Sequence, residues 1–147
     1  MRRNLAFILL RVMVGLVFFT EGLLKFLLPG ELGVGRFAHI GLPLPQLLAP
    51  FVGGLELVGG VAIVFNFYAG DAALVLLVVI LSALVTTKVP ILLGHPLWRF
   101  EPPKLNHYGV LSFLHEARTD LCMLLGSAAI LAESGLSLFK KTKWYAR

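Results

Sequence analysis

The sequence predicts an all-α fold, a membrane-spanning antiparallel four-helix bundle with both termini cytoplasmic, in a single domain of residues 1–147. The 147 residues are 58% hydrophobic and only 14% charged, with a mean hydropathy of +0.87. The apolar residues form blocks long enough to cross a hydrocarbon core, which takes roughly 20 helical residues. Basic residues gather at both ends of the chain, where the positive-inside rule places cytoplasmic segments. We therefore expect a multi-pass protein of the cell (inner) membrane.

The charge and the cysteine content narrow the class of protein further. The net charge is +5, but the cations lie mainly at the two chain ends, as expected for a membrane protein. This distribution argues against a nucleic-acid partner and indicates that the protein contacts the lipid bilayer. Cys122 is the single cysteine, so the chain forms no internal disulfide and no multi-cysteine metal site. No metal ligands are predicted. Because Cys122 lies within an apolar run, we expect a small, buried side chain there.

The first helix is predicted at about residues 4–28 and is interpreted as an uncleaved span. A basic start before an apolar run is also typical of a signal peptide, but this run is too long and lacks a small-x-small cleavage pattern. Arg11 lies about two turns inside the helix, so its long side chain can reach the lipid headgroups. Glu21 and Lys25, four residues apart in the order that favours an ion pair, lie in the distal half of the span.

Two outer loops separate the predicted helices. Residues 29–45 are rich in glycine and proline, which favour turns, and we expect a short interfacial helix around residues 34–40 within them. Residues 94–111 form the other outer loop, which is aromatic, basic and proline-rich. The second helix is predicted at about 46–66 and the third at about 70–93. The short turn between these two helices makes them antiparallel neighbours.

The second helix carries an acidic residue in a glycine-rich setting. Gly53, Glu56 and Gly60 share one face by their spacing of three and four residues. Small residues let helices approach closely, so this face is predicted to pack against a neighbour and to direct Glu56 into the bundle. A lone carboxylate in lipid is costly. Glu56 is therefore expected to be paired or protonated.

The fourth helix is predicted at about 112–134 and contains the densest group of ionisable residues, at 115–120. Its cleanly apolar part, residues 121–132, is short for a membrane span. The helix reaches full length only if residues 115–120 are embedded and turned toward protein. Residues 135–147 then form a basic, aromatic cytoplasmic tail.

The charged residues of all four predicted helices fall at one depth, in the outer half of the bundle, when roughly 1.5 Å of rise is counted per residue. Glu116 and Asp120 stand one turn apart on the same face, where neighbouring carboxylates repel and need cationic partners. The cations of this charge layer are Lys25, Lys88 and Arg118, and its anions are Glu21, Glu56, Glu116 and Asp120.

Two interpretations of the charge layer are compatible with the sequence. In one, it is a buried ion network that sets the register of the helices, since buried ion pairs often specify packing without adding stability. In the other, it lines a polar pocket open to the outer face, because ionisable groups within a membrane are functional candidates by default. In such a pocket, the predicted catalytic residues are Glu56 and His115. The predicted ligand-binding residues are Glu21, Lys25, Lys88, Glu116, Arg118 and Asp120.

Several short motifs follow one another along the chain. They are Arg11-x-x-x-Gly15, Gly22-x-x-Lys25-Phe26, Gly41-x-Pro43 and Leu55-Glu56-Leu57-Val58-Gly59-Gly60. In this order and spacing they resemble the DoxX family of small four-helix membrane proteins, over most of the chain. Members of that family include small subunits of thiosulfate:quinone oxidoreductase and components of membrane redox complexes, and a related branch contains receptor-assembly chaperones. The resemblance implies a quinone-linked redox subunit or a membrane accessory protein.

The leading functional hypothesis is a small subunit of a quinone-linked membrane oxidoreductase. The predicted spans contain no haem-type histidine pairs, no dinucleotide-binding glycine fingerprint and no metal-ligand spacing. A redox-active chain of this kind needs a bound quinone or a partner subunit as its electron carrier. A quinone or a small anion would approach the charge layer, where Lys25 and Arg118 would attract its electronegative oxygens. Glu56 or His115 would exchange protons as the quinone is reduced.

Two other functions also fit the sequence. The main alternative is a non-enzymatic accessory or assembly subunit of a larger membrane complex, which packs through its glycine faces and outer loops. For either function, the expected partners are the lipid bilayer and other subunits of a membrane complex or further copies of this chain. Charge in every predicted span also suggests a small-solute or proton pathway. Four short helices leave little room for such a pathway inside one monomer.

Overall fold

The computed structural model describes residues 5–136 and is all-helical over this range. Between these residues there is no β-strand, and the single isolated bridge, from Leu97 to Phe100, lies in a loop. The all-α prediction is thereby confirmed for the described part of the chain. Five helices follow one another: α1 Leu5–Leu27, α2 Val34–Ile40, α3 Pro45–Val64, α4 Ala69–Leu93 and α5 Val110–Ser134.

Three of these helices, α1, α3 and α4, are long and apolar enough to cross a membrane, with mean hydropathies of 2.0, 2.0 and 2.4. The short helix α2 coincides with the short helix expected around residues 34–40. Helix α5 has 25 residues, but Glu116, Arg118 and Asp120 interrupt its apolar sequence. Helix α5 is therefore long enough to span a bilayer, but its composition alone is not apolar enough to identify it as a membrane span.

Among the described helices, α1 and α3 share the most extensive contact, and glycines make it possible. A Cβ atom on Gly22 would lie 2.6 Å from the carbonyl oxygen of Gly53, and one on Gly60 would lie 2.6 Å from that of Gly15. Only residues without side chains allow two backbones to meet in this way. The predicted packing face of the second helix is confirmed, and its neighbour is α1. Glu56 on that face is buried.

Helices α4 and α5 complete a ring with α1 and α3: α3 also contacts α4, α4 contacts α5, and α5 contacts α1. The α4–α5 pair meets at both ends: the Gly109 amide donates to the Ile91 carbonyl at 3.1 Å, and Gly70 lies directly against the Gly135 carbonyl. The buried apolar cluster at the centre draws on α1, α3, α4 and α5. Its members include Val14, Phe18, Ile63, Leu76, Met123 and Ile130.

Helix α4 changes its winding where it carries its polar residues. Leu84–Lys88 form a π-helical turn, and Pro90 follows within the next turn. Because proline has no amide hydrogen and its ring collides with the carbonyl four residues earlier, the helix must loosen just before it. Insertion of a wider turn of this kind is common at functional sites. Here it rotates the side chain of Lys88 relative to a regular helix.

The structure corrects two predictions about single side chains. Cys122 is exposed, not buried, because α5 buries the stripe that contains Met123, Gly126 and Ile130 and leaves Cys122 outside the edge of this stripe. Arg11 does not reach outward to the headgroup level. Its side chain is buried in the bundle, with no hydrogen-bond partner for its Nε among the described residues.

The basic residues at both chain ends, and most of the predicted cytoplasmic tail 135–147, lie outside the described residues. The assignment of residues 1–147 to one membrane domain, with loops 29–45 and 94–111 on the outer side, stays a prediction.

Candidate functional site

The first ion pair of the charge layer joins α1 to α3. Lys25 Nζ lies 2.6 Å from Glu56 Oε2 and 3.7 Å from a carboxylate oxygen of Glu21. The side chains of Lys25 and Glu56 are only 11% and 7% exposed, whereas that of Glu21 is about half exposed. Within residues 5–136, Glu56 Oε2 has no further hydrogen-bond donor. Lys25 therefore neutralises a buried carboxylate between two tightly packed helices.

The close approach of α1 and α3 explains why this pair forms. Gly22 precedes Lys25 by three residues and Gly53 precedes Glu56 by three, so each charged side chain leaves its helix one turn beyond a glycine contact. A Cβ atom on Gly22 would lie 3.0 Å from the Glu56 Cβ. The glycine spacing read from the sequence thus brings the two charges together.

The second ion pair joins α4 to α5. Lys88 Nζ lies 3.5 Å from Asp120 Oδ2, and the Asp120 side chain is 25% exposed. Lys88 is the last residue of the π-helical turn. The neighbouring hydroxyl groups are used within α4 itself, since Thr86 donates to the Ser82 carbonyl at 2.8 Å and Thr87 to the Ala83 carbonyl at 2.6 Å. Lys88 is thus the side chain of this turn that forms an ion pair with α5.

Both ion pairs border one cavity of about 710 Å³. This volume lies in the range of pockets that hold drug-sized ligands. All five helices contribute to its wall. Most of the wall surface is apolar, as is usual for small-molecule sites, but the wall also contains hydroxyl and charged side chains. Its charged members are Glu21, Lys25, Arg36, Glu56, Lys88, Glu116 and Asp120.

Six of the eight residues that the sequence predicts for the site line the cavity. These are Glu21, Lys25, Glu56, Lys88, Glu116 and Asp120. His115 and Arg118 do not line it. Both are exposed on α5, and the Arg118 guanidinium donates to the backbone carbonyl of His115.

Helical geometry separates the two groups of residues on α5. Positions 116, 120 and 123 share one face by their spacing of three and four residues, and this face borders the cavity. Positions 115, 118 and 122 share another face, which is exposed. The ionisable block therefore divides between the protein interior and the outside of the bundle.

Sequence reasoning missed Arg36, which lies on α2 and borders the cavity. Its charge, like that of Glu21, acts on both Glu56 and Asp120. Arg36 and Glu21 thus lie near enough to both ion pairs to influence their charge, although the two pairs share no residue. The sequence signal was slight: a single cation in a predicted short helix. Only tertiary packing places α2 beside the cavity.

The arrangement offers two kinds of chemistry. Lys25 and Lys88 are hydrogen-bond donors that can bind oxygen atoms of a ligand, and their carboxylate partners can accept or release protons. No cluster of three or more metal-ligating side chains occurs within the described range. Most of the cavity wall is apolar and suits a ring or a hydrocarbon chain.

Replacing Lys88 with Met should lower the free energy of unfolding by about 1–2 kcal/mol, between the ranges for exposed and buried ion pairs. Asp120 loses its cation, but water reaches its partly exposed carboxylate. Reversible unfolding in detergent micelles, followed by circular dichroism, measures the change. Lys104→Met is the matched control, because Lys104 is exposed in the loop between α4 and α5. Equal losses for both variants would contradict a role of Lys88 in joining the helices.

Comparison with known proteins adds the family context. The DoxX family model matches residues 6–89, which include Lys25, Glu56 and Lys88 but end before α5. No solved structure matches the chain significantly.

Two curated relatives match. A Mycobacterium tuberculosis protein named "Uncharacterized membrane protein Rv3486" is 38% identical over 125 residues, which cover 84% of this chain and 72% of that protein. A Bacillus subtilis protein named "Putative oxidoreductase CatD" is 34% identical over 83 residues, or 56% of this chain and 59% of that protein. The chain therefore spans less than two thirds of the second relative. Together, the family match and the first relative show that this chain is a membrane protein of the DoxX family.

Proposed function

We propose that this protein is a small subunit of a quinone-linked membrane oxidoreductase, with its ligand site in the cavity between the two ion pairs. The observation that carries the proposal is the placement of two lysine ammonium groups, each held by a carboxylate, beside a largely apolar space of about 710 Å³. A quinone has the matching chemistry: an apolar ring with two carbonyl oxygens that accept hydrogen bonds. The name of the Bacillus subtilis relative supports an oxidoreductase role.

The chain's own residues have separate roles in this proposal. Lys25 and Lys88 donate hydrogen bonds to the ligand oxygens and hold the ring in place. Glu56 and Asp120 stand behind the lysines and exchange protons with the ligand when its charge changes. Glu116 and Arg36 adjust the charge around these groups. The electrons come from a partner subunit, and His115 and Arg118 stay outside the site.

In the proposed topology, α5 is the fourth span of an antiparallel bundle in the cell (inner) membrane, and both termini are cytoplasmic. The contacts at both ends of the α4–α5 pair support the opposite directions of these helices. The charged face of α5 is tolerable within the bilayer because Glu116 and Asp120 border the cavity. The site then lies in the outer half of the bundle. Other subunits of the complex, or a second copy of the chain, pack on the outer surface.

Quinone binding tests the proposal directly. The purified protein is incubated with decylubiquinone in detergent micelles, and the quinone retained after size-exclusion chromatography is measured by mass spectrometry. Glu56→Gln should weaken binding about tenfold, equal to ~1.4 kcal/mol, because Lys25 loses its charged partner. Glu133→Gln makes the same chemical change at an exposed position on α5 outside the cavity and should leave binding unchanged. Absence of quinone binding to the unmodified protein would overturn the proposal.

The same variants address the second candidate function, a non-enzymatic accessory subunit with a purely structural ion network. One observation favours it: each ion pair joins two different helices, as a register-setting contact would. In that case Glu56→Gln lowers the free energy of unfolding but has no effect on quinone retention. Gentle extraction from the native membrane would then yield a stable partner chain and no quinone.

A further inference from the structure

The exposed residues in the cavity wall fall into two groups of different chemistry. One group lies on α3 and α4 and consists of the apolar residues Phe51, Val75 and Val78 together with Ser82. The other group is polar and consists of Glu21 on α1, Arg36 on α2 and Thr119 on α5. We call these the apolar opening and the polar opening.

Two residues of the polar opening, Glu21 and Thr119, belong to helices on the opposite side of the ring from the apolar opening. Since α1 packs against α3 and α5, and α4 packs against the same two helices, the α3–α4 side of the ring lies opposite the α5–α1 side. The two ion pairs lie between, with Lys25 and Glu56 on α1 and α3, and Lys88 and Asp120 on α4 and α5. A ligand that reaches the ion pairs can therefore extend toward either opening.

The apolar opening arises from the way α3 and α4 diverge from their hairpin. Near the turn they pack closely, and a Cβ atom on Gly59 would lie 2.9 Å from the Leu76 side chain. Farther from the turn, Val52 and Leu55 on α3 and Val79 on α4 line the cavity. The space between these parts of the two helices is thus part of the cavity.

In a membrane, this opening would face the hydrocarbon region. Phe51 and Val78 are 62% and 59% exposed, and both belong to helices long and apolar enough to span a membrane. Ser82 is also exposed in the wall there, but its hydroxyl donates to the Val78 carbonyl at 2.8 Å. The rim consequently presents apolar surface to lipid and no free hydroxyl donor.

We propose that the apolar opening between α3 and α4 is a lateral portal for a membrane-borne amphiphile. Its oxygen-bearing head lies at the two ion pairs, and its hydrocarbon tail leaves the cavity between Phe51 and Val78 and continues into the bilayer. An apolar route to a charged interior favours a ligand with one polar end and one apolar end. This inference rests on the proposed function, to which it adds the class of ligand and its direction of access: a tailed, lipid-soluble molecule instead of a small water-soluble one.

A bulky side chain in the portal tests the proposal. Val78→Trp narrows the opening, and Val75→Trp does so from the next turn of the same helix. Val58→Trp is the matched control, because Val58 is an exposed valine on α3 that does not line the cavity. Each variant is titrated with decylubiquinone and with the same dimethoxy-methyl-benzoquinone ring lacking the tail. Retained ligand is measured in micelles by mass spectrometry.

The portal predicts that both opening variants lose about tenfold in affinity for the tailed quinone and keep their affinity for the tail-free ring, while Val58→Trp changes neither. If tailed and tail-free quinones bind the unmodified protein equally, or lose affinity equally in the opening variants, the portal is wrong and the quinone site stands. If neither quinone binds the unmodified protein, the proposed function and the portal both fall. Should one opening variant fail to fold, the other decides the result.

Discussion

Replacing Lys25 with Met is expected to lower the free energy of unfolding by about 3–5 kcal/mol, the range for breaking one side of a buried ion pair. Glu56 would keep its buried carboxylate but lose the ammonium group 2.6 Å away. Its Oε2 has no other hydrogen-bond donor within residues 5–136 that could take over. Reversible unfolding in detergent micelles, followed by circular dichroism, gives the measurement. Lys104→Met, in an exposed loop, should change the value little.

A double variant separates the loss of the pair from the loss of packing. Lys25→Met combined with Glu56→Met removes both charges and leaves side chains of similar length. Such replacement of a buried pair by apolar residues is often neutral or stabilising. We expect the double variant to recover most of the stability that Lys25→Met loses, since Glu21 is half exposed and stays hydrated. Additive losses from the two substitutions would contradict the idea that one charge neutralises the other.

Replacing Gly22 with Ala is expected to have the next largest effect, a loss of about 1–3 kcal/mol from overpacking. The new methyl group would lie 2.6 Å from the Gly53 carbonyl oxygen and 2.8 Å from the Leu57 amide nitrogen. Both are backbone atoms of α3, so the helices themselves must separate. That separation would also lengthen the contact between Lys25 and Glu56. Unfolding in micelles measures the stability, and quinone retention reports on the site.

Gly54→Ala is the matched control for this prediction. Gly54 lies on α3 beside Gly53, but a Cβ atom there would meet nothing within 4 Å. Alanine is about 1 kcal/mol more favourable than glycine inside a helix, so this variant should be neutral or slightly more stable. A similar loss in both variants would show that general helix effects, and not the α1–α3 contact, cause the destabilisation.

Much of the fold could be predicted from the sequence because its signals are local. Long apolar runs predict α1, α3 and α4, and the glycine spacing around Glu56 predicts a tight helix contact. The positions of Cys122 and Arg11 could not be predicted in the same way. A residue in an apolar run faces either protein or lipid, and both environments suit a small side chain such as that of cysteine. The rotation of each helix about its axis depends on its neighbours.

The candidate site could be predicted in part. The sequence identified Lys25, Glu56, Lys88 and Asp120 as members of one charge layer, and the structure places all four at one cavity. The sequence did not show which of the ionisable residues at 115–120 of α5 face the cavity and which are exposed. It also contained no signal that α2 would place Arg36 at the cavity.

The sequence by itself determined the all-helical class, the membrane setting and the charge layer, because hydropathy and helical spacing act along a single segment of chain. Tertiary structure alone decided which lysine pairs with which carboxylate, since that depends on the approach of α1 to α3 and of α4 to α5. It also decided that Glu116 and Asp120 turn inward while His115 and Arg118 turn outward. The physical reason is that burying α5's apolar stripe against its neighbours sets the helix rotation, and the charged side chains must follow it.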